Sequence, residues 1–135
     1  MRAGFLSMFR RRAHLHDTRP APHASANIAV IDAATFEELT AGQPTVVDLW
    51  APWCGPCHSF RPIFETVASE WQDRVRFGSC NVDDSPDTAM LLQVQSIPTV
   101  VAFGADGSEI GRLVGVPSRR RFEELVAGAA ASSRV

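Results

Sequence analysis

Two cysteines separated by two residues are the part of this sequence best suited to chemistry. Cys54 and Cys57 stand in the run Trp-Cys-Gly-Pro-Cys, directly after the mostly apolar residues 46–50 and before a stretch with helical spacing. A thiol at the start of a helix faces unpaired backbone N–H groups and the positive end of the helix dipole, and both favour the thiolate. The arrangement predicts a nucleophilic sulfur at neutral pH, and therefore a dithiol redox protein.

Zinc binding and a structural disulfide are the two competing interpretations of this pair. A zinc site needs four ligands, but Cys80 is the only further thiol, and three of the four histidines lie near the N-terminus, at positions 14, 16 and 23. A disulfide framework is not expected from three cysteines in a chain with no recognisable export signal. We therefore expect no bound metal, and redox catalysis is the favoured interpretation.

Asp48 is the second residue to which the sequence assigns chemistry. It is the one charge in an otherwise apolar, β-branched stretch that is typical of a strand covered on both faces. Burial of a carboxylate raises its pKa, so Asp48 is expected to exchange a proton near neutral pH with the deeper sulfur of Cys57. The alternative is a structural acid that only accepts hydrogen bonds in the interior.

Length and composition indicate an ordinary globular chain. The protein has 135 residues, of which 45% are hydrophobic, and a formal net charge of -2. One domain is expected at this length. So small a net charge favours neither nucleic acid nor an anionic membrane surface as a partner, and no apolar run approaches the roughly 20 residues that span a bilayer.

Residues 1–26 differ in composition from the rest of the chain. They carry five arginines against the single acid Asp17, a balance of +4, so the remaining residues carry -6. Because the segment has no helical or strand period, we predict a disordered basic extension ahead of a domain at 27–135. An organelle presequence is the alternative interpretation. A secretory signal fits less well, since the apolar stretch 5–9 is shorter than the roughly 7–15 residues of a signal core.

Strand-like and helix-like stretches alternate from residue 27 onward. Strands are predicted at 28–31, 45–50, 75–82, 99–103 and 109–114, and helices are predicted to begin at Asp32, at Pro56, at Pro86 (ending at 94) and after Ser118. The last two strands are joined by residues 105–108, with Asp-Gly at the centre of a hairpin turn. The order βαβαβαββα predicts an α/β fold in which four helices flank a mixed sheet of about five strands.

With these elements in order, the chain resembles the thioredoxin family from about Asn27 to the last helix. The resemblance rests on separated features that occur in the family's order: Asp48-Leu49-Trp50-Ala51, Trp53-Cys54-Gly55-Pro56-Cys57, Pro62, Ser96-Ile97-Pro98-Thr99, Gly107 and Gly115. A lone Cys-x-x-Cys would be weak evidence, whereas this set in this order is specific. The resemblance implies the thioredoxin fold.

The resemblance also implies a role for each residue of the dithiol segment. Cys54, at the exposed turn before the helix, is expected to attack a client disulfide and form the mixed disulfide, which Cys57, one turn deeper, would resolve. Gly55 and Pro56 set a turn compatible with helix initiation. Asp48 matches the family aspartate that exchanges a proton with the inner cysteine.

A client-binding surface is implied around Pro98. The resemblance implies a cis peptide bond before this proline, which would place it opposite the dithiol and leave the Ile97 backbone free to pair with an extended client segment. Further apolar contacts are expected from Trp53, Trp50, Val114 and Gly115.

Four other features depart from the family pattern or stand outside it. Ser79 takes the place of a lysine that the family often has near the buried acid, so Asp48 is expected to be held less firmly in its ionised form. His58, after the second cysteine, is predicted to be solvated on the helix surface. Cys80 is predicted to be a buried small hydrophobe. Arg119–Arg121 is predicted to be a solvated helix face.

Together these residues predict a monomeric, cytoplasmic protein-disulfide reductase of the thioredoxin type. It would use no bound cofactor, carry electrons from a thioredoxin reductase, and pass them to disulfide-containing client proteins. Two alternatives stay open at this point. One is a non-catalytic binding or chaperone-associated module with the same fold, and the other is a thiol oxidant or isomerase.

Overall fold

The structure is a computed structural model that describes residues 28–132. The extension predicted to be disordered at 1–26 lies outside the described residues. Within 28–132 the elements follow the predicted order βαβαβαββα. The strands are β1 (Ile28–Val30), β2 (Thr45–Trp50), β3 (Arg76–Asn81), β4 (Thr99–Phe103) and β5 (Glu109–Val114), and the helices are α1 (Phe36–Thr40), α2 (Gly55–Trp71), α3 (Pro86–Leu91) and α4 (Arg119–Ala131).

The five strands form one mixed sheet in the order β1-β3-β2-β4-β5. Strands β1, β3 and β2 are parallel, whereas β4 runs antiparallel to β2 and β5 runs antiparallel to β4. The predicted mixed sheet is confirmed. Strand β2 lies at its centre, and the dithiol follows directly from its carboxyl end.

Helices cover both faces of the sheet, because alternate residues of the central strands point to opposite sides. On one face Val46 and Val100 pack against α2 and α4 through Phe60, Phe64 and Phe122. On the other face the buried set is Ile31, Val47, Leu49, Cys80, Leu92, Val101 and Phe103. Asp48 lies on the first face, two residues after Val46.

Two helices are shorter than the sequence predicts, each for a local reason. Helix α1 begins at Phe36 rather than Asp32, because the Asp32 carboxylate accepts hydrogen bonds from the backbone N–H groups of Ala34 and Thr35 and forms a turn instead. Helix α3 ends at Leu91 rather than at 94, and Gln93 has a φ of 56°, which is incompatible with continuing a right-handed helix.

The last helix begins where its capping residue predicts. The Ser118 hydroxyl accepts a hydrogen bond from the backbone N–H of Arg121 at 3.1 Å, the usual N-cap arrangement. None of the helices within 28–132 combines the length and the apolar character needed to cross a membrane.

Candidate active site

The dithiol lies at the junction between the central strand and the longest helix. Cys54 is the N-cap of α2, Gly55 and Pro56 form its first turn, and Cys54 and Cys57 are joined in a disulfide with their Cα atoms 5.3 Å apart. The backbone N–H of Cys57 points at the Cys54 sulfur over 3.2 Å. An N–H donor and the helix dipole at this sulfur stabilise negative charge there once the disulfide is reduced.

The two sulfurs differ in burial, but less than the sequence predicts. Cys57 is fully buried and Cys54 is only 4% exposed, so the prediction that Cys54 sits at an exposed turn is wrong for the oxidised protein. Cys54 packs against Ala51 and is flanked by Trp50, Val82 and Ile97. Its sulfur lies 3.9 Å from the carbonyl oxygen of Ile97. A residue more than forty positions away in the chain therefore covers it.

Asp48 lies in the middle of β2, the strand that leads into the dithiol. Its Cα faces Ser79 on one side and Val100 on the other, and its side chain is fully buried. Burial raises the pKa of Asp48 to about 7, while the positive charge of Arg61 on α2 acts in the opposite direction. A carboxyl group with this pKa changes its protonation state near neutral pH.

The Ile97–Pro98 segment faces the dithiol from the start of β4. The peptide bond between Ile97 and Pro98 is cis. Two hydrogen bonds fix the segment: the Thr99 hydroxyl donates to the Ser96 carbonyl at 2.7 Å, and the Gly115 N–H donates to the Pro98 carbonyl at 2.8 Å. Pro98 itself is buried, whereas Ile97 is half-buried and contributes its carbonyl to the dithiol.

Exposed apolar groups surround the disulfide. Trp53 is 70% exposed and Val114 is 65% exposed. Trp50 and Gly115, which lie in the same two sequence segments, are half-buried. A pocket of about 380 Å³ opens beside Trp53 and Ile97; its other lining residues are Val82, Ala89, Val94, Gln95 and Ser96. No local sequence pattern predicts this pocket, because its wall comes from α3 and the loop after it.

Two polar contacts at the site were also missed from sequence. The indole N–H of Trp53 donates to the Asp83 carboxylate, and a ring nitrogen of His58 lies 2.7 Å from the Pro52 carbonyl oxygen. His58 is exposed as predicted, but it is bonded to the loop that carries Trp53 rather than only to solvent. Asp83 has a signal in the sequence, since the Asp83-Asp84 pair directly follows the strand predicted at 75–82.

The remaining candidate residues lie away from the dithiol chemistry. Cys80 is fully buried, as predicted, and burial raises the pKa of its thiol to about 11. All three arginines at the start of α4 are exposed, as predicted, and two of them pair with acids: Arg119 with Glu70 and Glu123, and Arg120 with Glu124. Among residues 28–132, no cluster of three or more His, Cys, Asp or Glu side chains is arranged to hold a metal ion.

The fold and this site together define a class of protein. A five-stranded mixed sheet with helices on both faces presents a Cys-Gly-Pro-Cys disulfide at the N-terminus of a helix, with a buried titratable acid behind it and a cis-proline segment in front. This is the arrangement of a dithiol–disulfide oxidoreductase.

Comparison with known proteins gives the family. The family profile described as Thioredoxin matches residues 27–128, so the chain belongs to the thioredoxin family, the oxidoreductases of protein disulfides. The chain is 40% identical to the thioredoxin of Mycobacterium bovis over 96 residues, which is 70% of this chain and 82% of the relative.

Two further comparisons bear on architecture. The bifunctional thioredoxin reductase/thioredoxin of Mycobacterium leprae is 38% identical over 100 residues, covering 73% of this chain but only 22% of that protein. Among solved structures, oxidised mitochondrial thioredoxin 3 from Saccharomyces cerevisiae superposes with a TM-score of 0.67 at 32% identity, covering 74% of this chain and 94% of the yeast chain. The thioredoxin fold predicted from sequence is confirmed.

Proposed function

We propose that this protein reduces disulfide bonds in client proteins by dithiol–disulfide exchange. The Cys54 thiolate attacks one sulfur of the client disulfide, which forms a mixed disulfide and releases the other client sulfur as a thiolate. Cys57 then attacks the Cys54 sulfur, so the Cys54–Cys57 disulfide forms and the client leaves with two reduced cysteines. The observation that carries the proposal is the N–H of Cys57 aimed at the Cys54 sulfur over 3.2 Å at the start of α2.

The order of attack follows from access. Cys57 is fully buried and lies inside the first turn of α2, whereas Cys54 caps the helix and retains 4% of its surface. The attacking sulfur has to lie in line with the client S–S bond that breaks. Only Cys54 can be reached from solvent by a client disulfide in that orientation. Cys57 is placed to act second, on a sulfur already bonded to the client.

Asp48 is proposed as the proton acceptor for Cys57. A buried thiol at its ordinary pKa is mostly protonated at pH 7 and is then a poor nucleophile. The raised pKa of Asp48, about 7, matches the pH at which it would take up the Cys57 proton before the second attack and return it during the reverse reaction.

Clients are proposed to bind as an extended segment along Ile97. The half-buried Ile97 lies against the Cys54 sulfur, and an extended backbone there would gain main-chain hydrogen bonds while Trp53, Trp50, Val114 and Gly115 provide apolar contact. Main-chain pairing with flat apolar contact carries little sequence preference. This suits a reductase that acts on many clients.

Electrons are proposed to come from a thioredoxin reductase, with the protein working as a cytoplasmic monomer. A relative that is named as a reductase and a thioredoxin in one chain supports the pairing with a reductase.

An organelle is the competing location, because the yeast relative is mitochondrial by name. Cell fractionation would test the location, and gel filtration of the reduced protein at micromolar concentration would test the monomer.

The decisive experiment is insulin reduction coupled to NADPH consumption by a thioredoxin reductase. We expect turnover by the wild-type protein and none by Cys54→Ser, with Cys80→Ser as a matched control that keeps full activity. Unchanged client binding without any turnover in the wild type would favour a non-catalytic module. A reduction potential near that of strong protein oxidants would favour an oxidant or isomerase.

A further inference from the structure

Arg61 lies where its charge can act on the buried acid behind the dithiol. It follows Cys57 by one helical turn on α2, so the two residues share a face of the helix. Its guanidinium carbon lies 5.6 Å from the ring centroid of Trp50. Trp50 ends β2 two residues after Asp48 and therefore projects from the same face of the sheet.

Apart from Arg61, the groups on this face of the described sheet carry no permanent positive charge. Asp48 is flanked by Ser79 on β3 and Val100 on β4, α2 contributes Cys57 and Phe60, and α4 contributes Phe122 and Val126. The titratable His58 of α2 lies at the exposed rim of this face, where its ring packs edge-on against Trp50 at 6.4 Å. Five of the other arginines within 28–132 make their contacts elsewhere, and a sixth, Arg121, is exposed on α4: Arg74 contacts Trp71, Arg76 contacts Gln43, Arg112 contacts Glu109, and Arg119 and Arg120 contact acids of α2 and α4. Arg61 is the cation of the described chain that is placed to act on Asp48.

We propose that Arg61, held over Trp50, is a positioning residue that keeps Asp48 available as a base for Cys57 at neutral pH. The proposal rests on the role given above to Asp48. In the step affected, the Asp48 carboxylate accepts the Cys57 proton, the Cys57 sulfur bonds to the Cys54 sulfur, and the client sulfur leaves with the electron pair of the mixed disulfide. A cation on α2 thus acts on the acid in this chain, where Ser79 on β3 takes the place of the family's lysine.

The physical reason is a balance of two opposed effects on one carboxyl group. Burial between β3 and β4 disfavours the ionised form of Asp48, and the guanidinium of Arg61 favours it. Because Arg61 is only half-buried, solvent weakens its effect, and the balance is set mainly by burial. Removing the Arg61 charge is therefore expected to shift the titration of Asp48 modestly and not to abolish the reaction.

The test compares Arg61→Met with Arg61→Lys and with a matched control, Arg74→Met. Arg74 also stacks on a tryptophan, 4.1 Å from the ring centroid of Trp71, so Arg74→Met removes the same charge and the same kind of contact outside the site. Carboxyl-carbon NMR of the protein labelled at aspartate would follow the titration of Asp48. We expect the midpoint to rise by roughly half a pH unit in Arg61→Met and to stay within error in Arg61→Lys and Arg74→Met. An Asp48 midpoint in Arg61→Met equal to that of Arg74→Met would overturn the proposal.

A second readout separates this proposal from the proposed function. The rate at which Cys57 resolves a preformed Cys54 mixed disulfide is expected to reach half its maximum at a higher pH in Arg61→Met, and this shift should vanish when Asp48→Asn is also present. If Asp48→Asn alone leaves the pH dependence of resolution unchanged, the proton-acceptor role of Asp48 fails. The NMR titration would still decide whether Arg61 sets the protonation of Asp48.

Discussion

The indole of Trp53 is tied to the carboxylate of Asp83, thirty residues further along the chain. Its Nε1–H lies 3.0 Å from one carboxylate oxygen and 3.3 Å from the other, although the ring itself is 70% exposed. The bond fixes an apolar ring beside the disulfide without burying it. A fixed ring loses less side-chain entropy when a client covers it than a mobile ring would.

Asp83→Ala is expected to weaken client binding while leaving the chemistry intact. Loss of one hydrogen bond that orders an exposed ring should raise the KM for insulin about threefold, with little change in kcat. Asp84→Ala removes the same charge from the adjacent position and should leave KM unchanged. Equal effects of the two variants would mean that charge, and not the Trp53 contact, matters.

Cys57→Ser is expected to trap the intermediate that the proposed mechanism requires. Cys54 would still attack a client disulfide, but no second sulfur could release the client, so a mixed disulfide should accumulate in about one-to-one yield. Non-reducing mass spectrometry of the variant incubated with oxidised client would detect it. Cys54→Ser under the same conditions should give no adduct, and an adduct there would reverse the assigned order of attack.

Ser79→Lys is expected to move the pH dependence of Cys57 reactivity downward. Ser79 lies opposite Asp48 in the register of β2 and β3, so a lysine there would add a second positive charge near the acid and favour its ionised form. Resolution of the mixed disulfide as a function of pH would measure the shift, with Ser79→Gln as a control for bulk. A profile that stays where it is in Ser79→Lys would count against the link between Asp48 and Cys57.

Asp48→Asn is expected to stabilise the folded protein, and to do so most at high pH. Burial raises the pKa of Asp48 from 3.8 to about 7, so the folded state holds a proton that the unfolded state releases between these values. Stability of the wild type therefore falls as pH rises through this window and levels off above it. The variant should gain on the order of 4 kcal/mol at pH 8.

Urea unfolding of the oxidised proteins at pH 4 and pH 8 would measure this gain. The difference between Asp48→Asn and the wild type isolates one group, because every other titrating residue is common to both. If the free energies of unfolding of Asp48→Asn and the wild type differ by the same amount at both pH values, Asp48 is not protonated in the folded state near pH 5–7.

Gly78→Ala is expected to destabilise the fold because no space exists for a side chain on that strand. A Cβ atom at Gly78 would overlap the terminal carbon of Ile31, which is itself buried at 1% exposure on the same face of the sheet. The forced repacking should cost about 1–3 kcal/mol in the free energy of unfolding. Gly128→Ala is the matched control: that position on α4 has open space, and the change should stabilise by about 0.5–1 kcal/mol. Equal effects of the two changes would argue against a steric origin.

The sequence predicted what depends on local pattern and missed what depends on distant contact. The bounds of β2, β4 and β5 matched because each is a short apolar or alternating run between clear turn residues. The near-complete burial of Cys54 was missed because Ile97, which covers it, is distant in sequence and is brought close only by the pairing of β4 with β2. The cis bond before Pro98 came only from family resemblance, since nothing in the local residues distinguishes it.

The positive charge that acts on Asp48 is a second feature that local sequence pattern does not predict. In the family pattern the compensating cation is often a lysine where this sequence has Ser79, so the pattern predicts a weakly compensated acid. Arg61 stands on a different element, and its relation to Asp48 depends on how α2 crosses the sheet. Helical spacing alone puts Arg61 one turn after Cys57, but only the packing of α2 on the sheet lets its charge act on the acid.

The central position of β2 in the sheet determines the order in which the strands are expected to unfold locally. Amide protons of β2 are bonded on both sides, to β3 and β4, whereas β1 is a three-residue edge strand and β5 leaves its outer side unpaired within the described sheet. Fraying should therefore begin at the two margins and reach β2 last. Deuterium uptake would be slowest in the strand that leads into the disulfide, so the reactive centre is anchored to the last region to melt.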